Sequence, residues 1–342
     1  MKRGISLIVT ALLLLCAFGA GGTVLAGEDS PAASEEAPGV YSLNDFYFDT
    51  VVSIRFDAGE NGDELLSGCR SMCSEFEKTF SRTDEESELY RVNHRKKDRV
   101  EVSGVLAGLV QTGLDYYDIS NGRFDITVAP LSDLWDFKSG EPTVPPEAKI
   151  QSALRKVDAS RVHVETKEDA DGKTKWFLSF DDPDTMIDLG ALVKGYAADR
   201  LADYLKENGV ESGLINLGGN VLAIGTKEDG SDWKIGIQKP FESDIIDTVQ
   251  VEDRSVVTSG VYERCFEQDG VLYHHILDPE TGYPVQNNLW GVSIISESSL
   301  TGDALSTVCM LLGLEEATEL IRQTEDVEAI FIDSDLHETM TE

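Results

Sequence analysis

Asp303 and Thr307 stand four residues apart in TGDALSTVCMLLG (301–313). On a helix that spacing puts a carboxylate and a hydroxyl on one face, one turn apart. Both are hard oxygen donors of the kind Mg²⁺ prefers, and Mg²⁺ usually keeps positions open for water and substrate phosphate. A structural role explains the same pair: an early Asp suits the helix dipole, and a mid-helix Thr can bond back to the carbonyl four residues before it. Lys194, in DLGALVKGYAADR (188–200), falls near the start of another predicted helix, where the dipole disfavours a cation unless an anion is close. A phosphate would supply that anion, with Gly190 ahead of the helix leaving amides free to bind it; a Lys turned into solvent is the plain alternative. The spacing is not that of a P-loop. Two of the chain's 5 histidines, His274 and His275, adjoin in YHHILDPETGYPV (273–285), where a predicted strand over 273–277 runs into the turn residues Asp278, Pro279 and Gly282. A histidine on so rigid a mount suits proton transfer near neutral pH, or it merely caps the turn. Gly218, Gly219 and Asn220 in INLGGNVLAIG read as a tight connection between two apolar strands, and Thr258, Ser259 and Gly260 offer hydroxyls and amides at a strand end.

The elements that must carry these groups alternate irregularly, with no internal repeat. Residues 50–56 read as a strand and 63–80 as a helix with Leu65, Leu66, Cys69, Met72, Cys73 and Phe76 on one side. A helix over about 103–120 ends at the turn signal SNG, a short strand and Pro130 share GRFDITVAPLSDLWDF, and a helix near 146–156 precedes the strands RVHVET and KWFLSF. A helix of about 19 residues follows Asp188 and stops at Gly209. The last third holds strands at SGLINL, NVLAIG, WKIGIQ, SVVTSG, VLYHHIL and WGVSIIS, helices over 302–312 and 314–324, and a final strand VEAIFID. Neighbouring strands are too close for helical crossovers, which predicts an α+β fold with largely antiparallel sheets and packed helices.

Residues 1–26 have the basic start, apolar run and small-residue end (VLA) of an export signal, too short for a comfortable membrane span. Cys16 follows four leucines as a lipid-attachment cysteine would, but Leu15 stands where such a site wants a small residue. Residues 27–42 are rich in Glu, Ser, Ala and Pro and read as a tether, leaving 43–342 as the folding domain. The net charge of −34 argues against nucleic acid or an anionic membrane face as a general partner, and any anionic ligand then needs local cationic help. Cys69, Cys73, Cys265 and Cys309 match no zinc spacing; Cys69 and Cys73, on one helical face, are a redox pair or two small apolar residues.

In order along the chain, FSRTDEESELYRVN, GRFDITVAPLSDLWDF, IDLGALVKGYAADR, INLGGNV, VVTSGVYER, HHILDPETGYPV and TGDALSTVCMLLG resemble the ApbE family, the FAD:protein FMN transferases, over about residues 43–335. That resemblance implies a T-fold-like domain binding FAD with Mg²⁺ outside the cytoplasmic membrane. It further implies transfer of the FMN half of FAD to a Thr or Ser of a partner flavoprotein, with release of AMP. By similarity, Asp303 and Thr307 would hold the metal with a backbone carbonyl of the LGA turn, Ala191. Lys194 would stand near the nucleotide, and His275 would take the acceptor hydroxyl's proton. Asp278 would fix the strand end, while Phe48, Asp125, Thr127, Pro130, Gly219, Thr258, Ser259 and Gly260 would shape or line the flavin site. Two positions depart from the family pattern. Thr83 stands where many relatives carry a tyrosine against the flavin, leaving room for water and so for hydrolysis of FAD to FMN and AMP. Phe48-Asp49 replaces a Met-Gly pair, and Asp49 lacks glycine's backbone freedom. A carrier that binds FAD without reaction is the third reading.

Overall fold

The computed structural model describes residues 39–341. The predicted export signal and all but the last residues of the predicted tether lie outside them. The tether ends sooner than its composition suggested, because Val40 is buried in strand β1 (Val40–Tyr47) and Tyr41 stacks on Phe56 with ring centroids 6.0 Å apart. The elements then run β2 (Thr50–Asp57), α1 (Gly62–Phe80), α2 (Glu88–Asn93), β3 (Arg99–Val102), α3 (Gly104–Ile119), α4 (Ala129–Trp135), α5 (Glu147–Leu154), β4 (Val162–Glu168), β5 (Thr174–Phe180), α6 (Val193–Glu207), β6 (Gly213–Leu217) and β7 (Asn220–Ile224). They continue with β8 (Trp233–Gln238), β9 (Ile245–Val251), β10 (Ser255–Gly260), β11 (Cys265–Gln268), β12 (Val271–His274), β13 (Leu289–Ser296), α7 (Ser299–Leu312), α8 (Leu314–Arg322), β14 (Glu328–Asp333) and β15 (Glu338–Met340).

Eight strands form one antiparallel sheet in the order β1-β2-β6-β7-β10-β13-β14-β15. All five residues of β7 are buried, because both faces of the sheet are covered there. Leu222 and Ile224 join the core under α1 and α6, while Val221 and Ala223 meet Ile235, Ile237 and Val251 of the β8–β9 hairpin on the opposite face. On α1, Leu65, Leu66, Cys69 and Cys73 are buried at the expected helical spacing, each leucine worth roughly 2 kcal/mol by area. Burial pushes both thiols up to about 12, so Cys69 and Cys73 act as small apolar packing groups. A three-stranded sheet, β3-β5-β4, packs beside α3, and the β11–β12 hairpin lies on a small separate core with Leu131, Trp135 and Ile150. The architecture is therefore α+β, antiparallel throughout, with helices packed on the main sheet.

Four local expectations change, each for a visible reason. No strand forms at 124–128, since the Asp125 carboxylate captures the Thr127 amide (2.7 Å) and hydroxyl (2.6 Å), an Asx turn that competes with a ladder. The helix after Asp188 begins only at Val193, so α6 has 15 residues. Strand β12 stops at His274, and the chain changes partner there. His275 N still donates to Arg264 O (3.0 Å), whereas Val285 N donates to Ile276 O (3.0 Å). Finally, Phe48 (φ 54°) and Asp49 (φ 58°) both take left-handed backbone in the two-residue β1–β2 turn, a conformation a short polar side chain such as Asp tolerates.

Candidate active site

Helix α7 starts at Ser299, one turn earlier than the sequence suggested, so Asp303 lies in its second turn. Its start is fixed from α6: the Asp199 carboxylate accepts from the amides of Ser299 (2.7 Å) and Leu300 (3.0 Å) and from the Ser298 hydroxyl (2.8 Å). At the crossing of the two helices a Cβ on Gly195 would lie 2.4 Å from Ser299 O, so only glycine lets them approach this closely. The contact delivers Lys194 and Gly195 to Asp303, which is 2% exposed. Lys194 Nζ donates to Asp303 Oδ1 at 2.9 Å and Gly195 N donates to Oδ2 at 2.9 Å. Burial works against the Lys194 charge, but attraction and hydrogen bonding to Asp303 outweigh it and hold the ammonium above the usual lysine range.

Gly195 N would meet Ala191 O if the helix continued backwards; by turning to Asp303 it leaves the Ala191 carbonyl without its helical partner. Thr307 follows one turn after Asp303, half-buried, with Ser259 Oγ 3.5 Å from its hydroxyl and 2.8 Å from Ser306 Oγ. Carboxylate, hydroxyl and a carbonyl with no backbone donor among the described residues are a hard-oxygen set, and a cation already sits on the carboxylate in the form of Lys194. These residues fit a small divalent ion. Of the amides that sequence reasoning left free for phosphate, that of Gly190 goes to Asp188 Oδ1 (2.9 Å) and that of Gly195 to Asp303. A second group of metal-type side chains, Asp333, Asp335 and His337, lies on the β14–β15 turn, where Asp333 Oδ1 already accepts from the amides of Asp335 and His337.

The facing wall is built by the ends of the β11–β12 hairpin, with Glu263 and Arg264 before it and His275 after it. Burial pulls the His275 imidazole down to about 3, with Arg264, His274 and Lys194 adding to the shift, so the ring is neutral at physiological pH. Its Nδ1 has no hydrogen-bond partner among the described residues. Packing among protein groups pushes the Glu263 carboxyl up to about 7, against the pull of Lys194 and Arg264 and with help from Asp303. Its side chain is nevertheless open to solvent, as befits a cleft wall, and that hydration tempers the shift. Lys194, Asp303, Glu263, Arg264 and His275 thus act on one another electrostatically as one cluster.

A profile of the ApbE family matches residues 48–331. The chain belongs to the ApbE family. It is 36% identical over 273 residues to an FAD:protein FMN transferase of Klebsiella pneumoniae, covering 79% of this chain and 82% of that one. A transferase of the same description from Treponema pallidum is 35% identical over 243 residues, covering 68% and 67%. Among solved structures, the ApbE protein of Thermotoga maritima superposes with a TM-score of 0.78 at 30% identity, over 89% of this chain and 97% of its own. The flavin transferase ApbE of Vibrio cholerae gives 0.78 at 27% identity, over 88% and 97%.

The other positions singled out in this ApbE chain fall into three groups. Thr258, Ser259 and Gly260 end β10 beside α7, with Thr258 Oγ1 2.7 Å from Ser293 Oγ. Asp125 and Thr127 are buried and already engaged: Asp125 Oδ2 accepts from Ala159 N (3.0 Å) and Thr127 Oγ1 from Asp158 N (2.8 Å), so both brace the loop ahead of Pro130 at the start of α4. Asp278 closes the turn after His275, its carbonyl accepting from Gly282 N (2.8 Å) and its carboxylate from Glu280 N (2.9 Å). Phe48 and Gly219 line up on adjacent turns, since Gly218 packs on Thr50 and Gly219 N donates to Asn216 Oδ1 (3.1 Å). Thr83 is exposed and hydrogen-bonds to its neighbour Ser81. Sequence reasoning missed Arg82, which bridges Asp188 (3.0 Å) and Asp133 (2.5 Å), and Lys138, which pairs with Asp49. With Arg264 these cations outweigh burial and hold the Asp49 carboxyl below the usual range, which ties the β1–β2 turn to the Arg264 wall. Arg82 and Arg264 lie within the motifs FSRTDEESELYRVN and VVTSGVYER, whereas Lys138 directly follows GRFDITVAPLSDLWDF and lies in none of the motifs.

Proposed function

We propose that this flavin transferase moves the FMN half of FAD onto a Ser or Thr hydroxyl of an exported flavoprotein and releases AMP. Asp303, Thr307 and the Ala191 carbonyl would hold a Mg²⁺, which when bound neutralises charge on the diphosphate as it is attacked. His275, neutral because of its burial, takes the hydroxyl proton at an imidazole nitrogen. The hydroxyl oxygen forms a bond to the FMN phosphorus, the P–O bond to the AMP phosphate breaks, and AMP departs with that electron pair. Lys194 and Arg264 offer positive charge to the diphosphate, while Thr258, Ser259 and Gly260 bound the pocket beside it. Residues 1–26 support an extracytoplasmic location, and among the described residues no helix is long and apolar enough to cross a membrane.

The observation that carries this reading is the buried Asp303, reached by one ammonium and one amide and followed a turn later by Thr307. Its test is incubation of the protein with FAD, Mg²⁺ and FMN-binding domains bearing candidate attachment sites. A fluorescent covalent band on a denaturing gel, abolished by a chelator, is expected; no band with any acceptor overturns the reading. The exposed, small Thr83 favours a second reading, hydrolysis of FAD to FMN and AMP. AMP release without acceptor, as fast as transfer, would establish it.

A further inference from the structure

Both oxygens of Asp303 are occupied, and by partners of unlike mobility. Oδ2 is held by the Gly195 amide, which cannot withdraw unless α6 moves, and a Cβ at Gly195 would already clash with Ser299 O at 2.4 Å. Oδ1 is held by Lys194, whose side chain is 26% exposed and ends in an ammonium on four rotatable methylenes. A divalent ion arriving at Oδ1 meets the Lys194 ammonium, and because a doubly charged ion and an ammonium on one carboxylate oxygen repel, binding there favours the departure of Lys194. The buried carboxylate would be costly without any cation, and Lys194 removes that cost in the metal-free protein. Once displaced, the ammonium needs another anion. Glu263 is its other acidic neighbour, and Arg264 already competes for that carboxylate. A diphosphate bound in front of α6 is the better partner.

We propose that Lys194 is a built-in substitute for the metal, occupying Asp303 until the divalent ion and a diphosphate arrive together and then passing to the diphosphate. The proposal rests on the reading of Asp303 and Thr307 as cation ligands. Its consequence is linkage: the ion alone binds weakly because it must evict an ammonium that has nowhere to go, and the diphosphate alone finds Lys194 engaged. Each therefore strengthens the other by the same factor. Removing the Lys194 charge should relieve the competition and uncouple the two.

The test is Mn²⁺ binding to the protein, followed by the loss of the free-ion spin-resonance signal, with and without ADP and with correction for the Mn²⁺ that ADP itself holds. Without ADP, Lys194→Met is expected to bind Mn²⁺ at least tenfold more tightly than the wild type, and ADP should tighten Mn²⁺ binding in the wild type but hardly in the variant. Lys194→Gln, which keeps a donor for Asp303 without the charge, should move the same way and serves if the Met variant does not fold. Lys194→Arg should bind no more tightly than the wild type. Unchanged or weaker Mn²⁺ binding in the folded Met or Gln variant overturns the inference while leaving the metal site standing. Absence of bound Mn²⁺ from the wild type even with ADP, or wild-type binding that survives in Asp303→Asn, overturns the metal reading and the inference with it.

Discussion

His275 differs from an ordinary histidine by its protonation, and the sign of that difference can be measured. Its folded pKa, about 3, lies below the unfolded value near 6.5, so the neutral ring stabilises the fold above pH 6.5 and that contribution is lost as pH falls toward 3. The base proposed for catalysis is then neutral across most of the acid range. A histidine of ordinary pKa would cost about tenfold in kcat/KM between pH 7.5 and 5.5, because kcat/KM reports the free enzyme. For this protein no such loss should come from His275. Packing shifts the Glu263 carboxyl upward, tempered by its exposure on the cleft wall, and any acid-side limb that it adds should vanish in Glu263→Gln. His275→Ala should lower transfer by about 100-fold or more while leaving FAD affinity, read from flavin fluorescence quenching, within a factor of a few. An undiminished rate in His275→Ala would remove it from the proton-transfer role. The turn chemistry around the two histidines left a proton-transfer role and a mere turn cap equally open, and only the family resemblance singled out His275; its depressed pKa was not legible at all, since that comes first from burial in the fold and then from Arg264, across a hairpin, and Lys194, far along the chain.

At the scale of elements, the site depends on how α7 is begun. Asp199 accepts three hydrogen bonds at that helix start, and Gly195 sets the separation of α6 and α7. Asp199→Ala should cost about 1–3 kcal/mol in urea unfolding, the range for loss of a helix cap with buried donors left unpaired. It should also weaken Mn²⁺ binding, because Asp303 is one turn further along the same helix; normal stability with normal Mn²⁺ affinity would contradict that account. The elements legible from sequence were those with a full apolar face: α1, α3, α7 and the inner strands β6, β7, β10 and β13. Those that escaped, β1, α2, β3, α4, β9, β11 and β15, are short or bury few of their side chains. β9, for instance, buries only Val251 fully, so its alternation of side chains carries little signal. The strand expected at 124–128 failed for a different reason, the side chain of Asp125 competing for backbone donors.

Across the whole molecule, the chain carries a formal charge of −34 and must still admit a dinucleotide with two phosphates. Of the cations that solve this, Lys194 was singled out in the sequence by its place near a helix start, whereas Arg82 and Lys138 were not, because their meaning lies in what they face. Arg82 and Lys138 are largely neutralised by Asp133, Asp188 and Asp49, so they trim the local field without reversing the distant one. Lys194, likewise, is paired with Asp303. An approaching FAD should therefore feel net repulsion at long range and attraction only inside the cleft. Screening length falls from about 30 Å at 10 mM salt to about 10 Å at 100 mM, so added salt removes the distant repulsion before it touches contacts of 3–4 Å. The association rate of FAD, followed by stopped-flow flavin quenching at fixed Mg²⁺, should accordingly rise several-fold from 10 to 100 mM KCl. A site that drew its substrate through a basic funnel would show the opposite slope. A rate that falls with salt would mean that the cleft cations project well beyond their carboxylate partners, and the account of Arg82 and Lys138 as locally neutralised would be wrong.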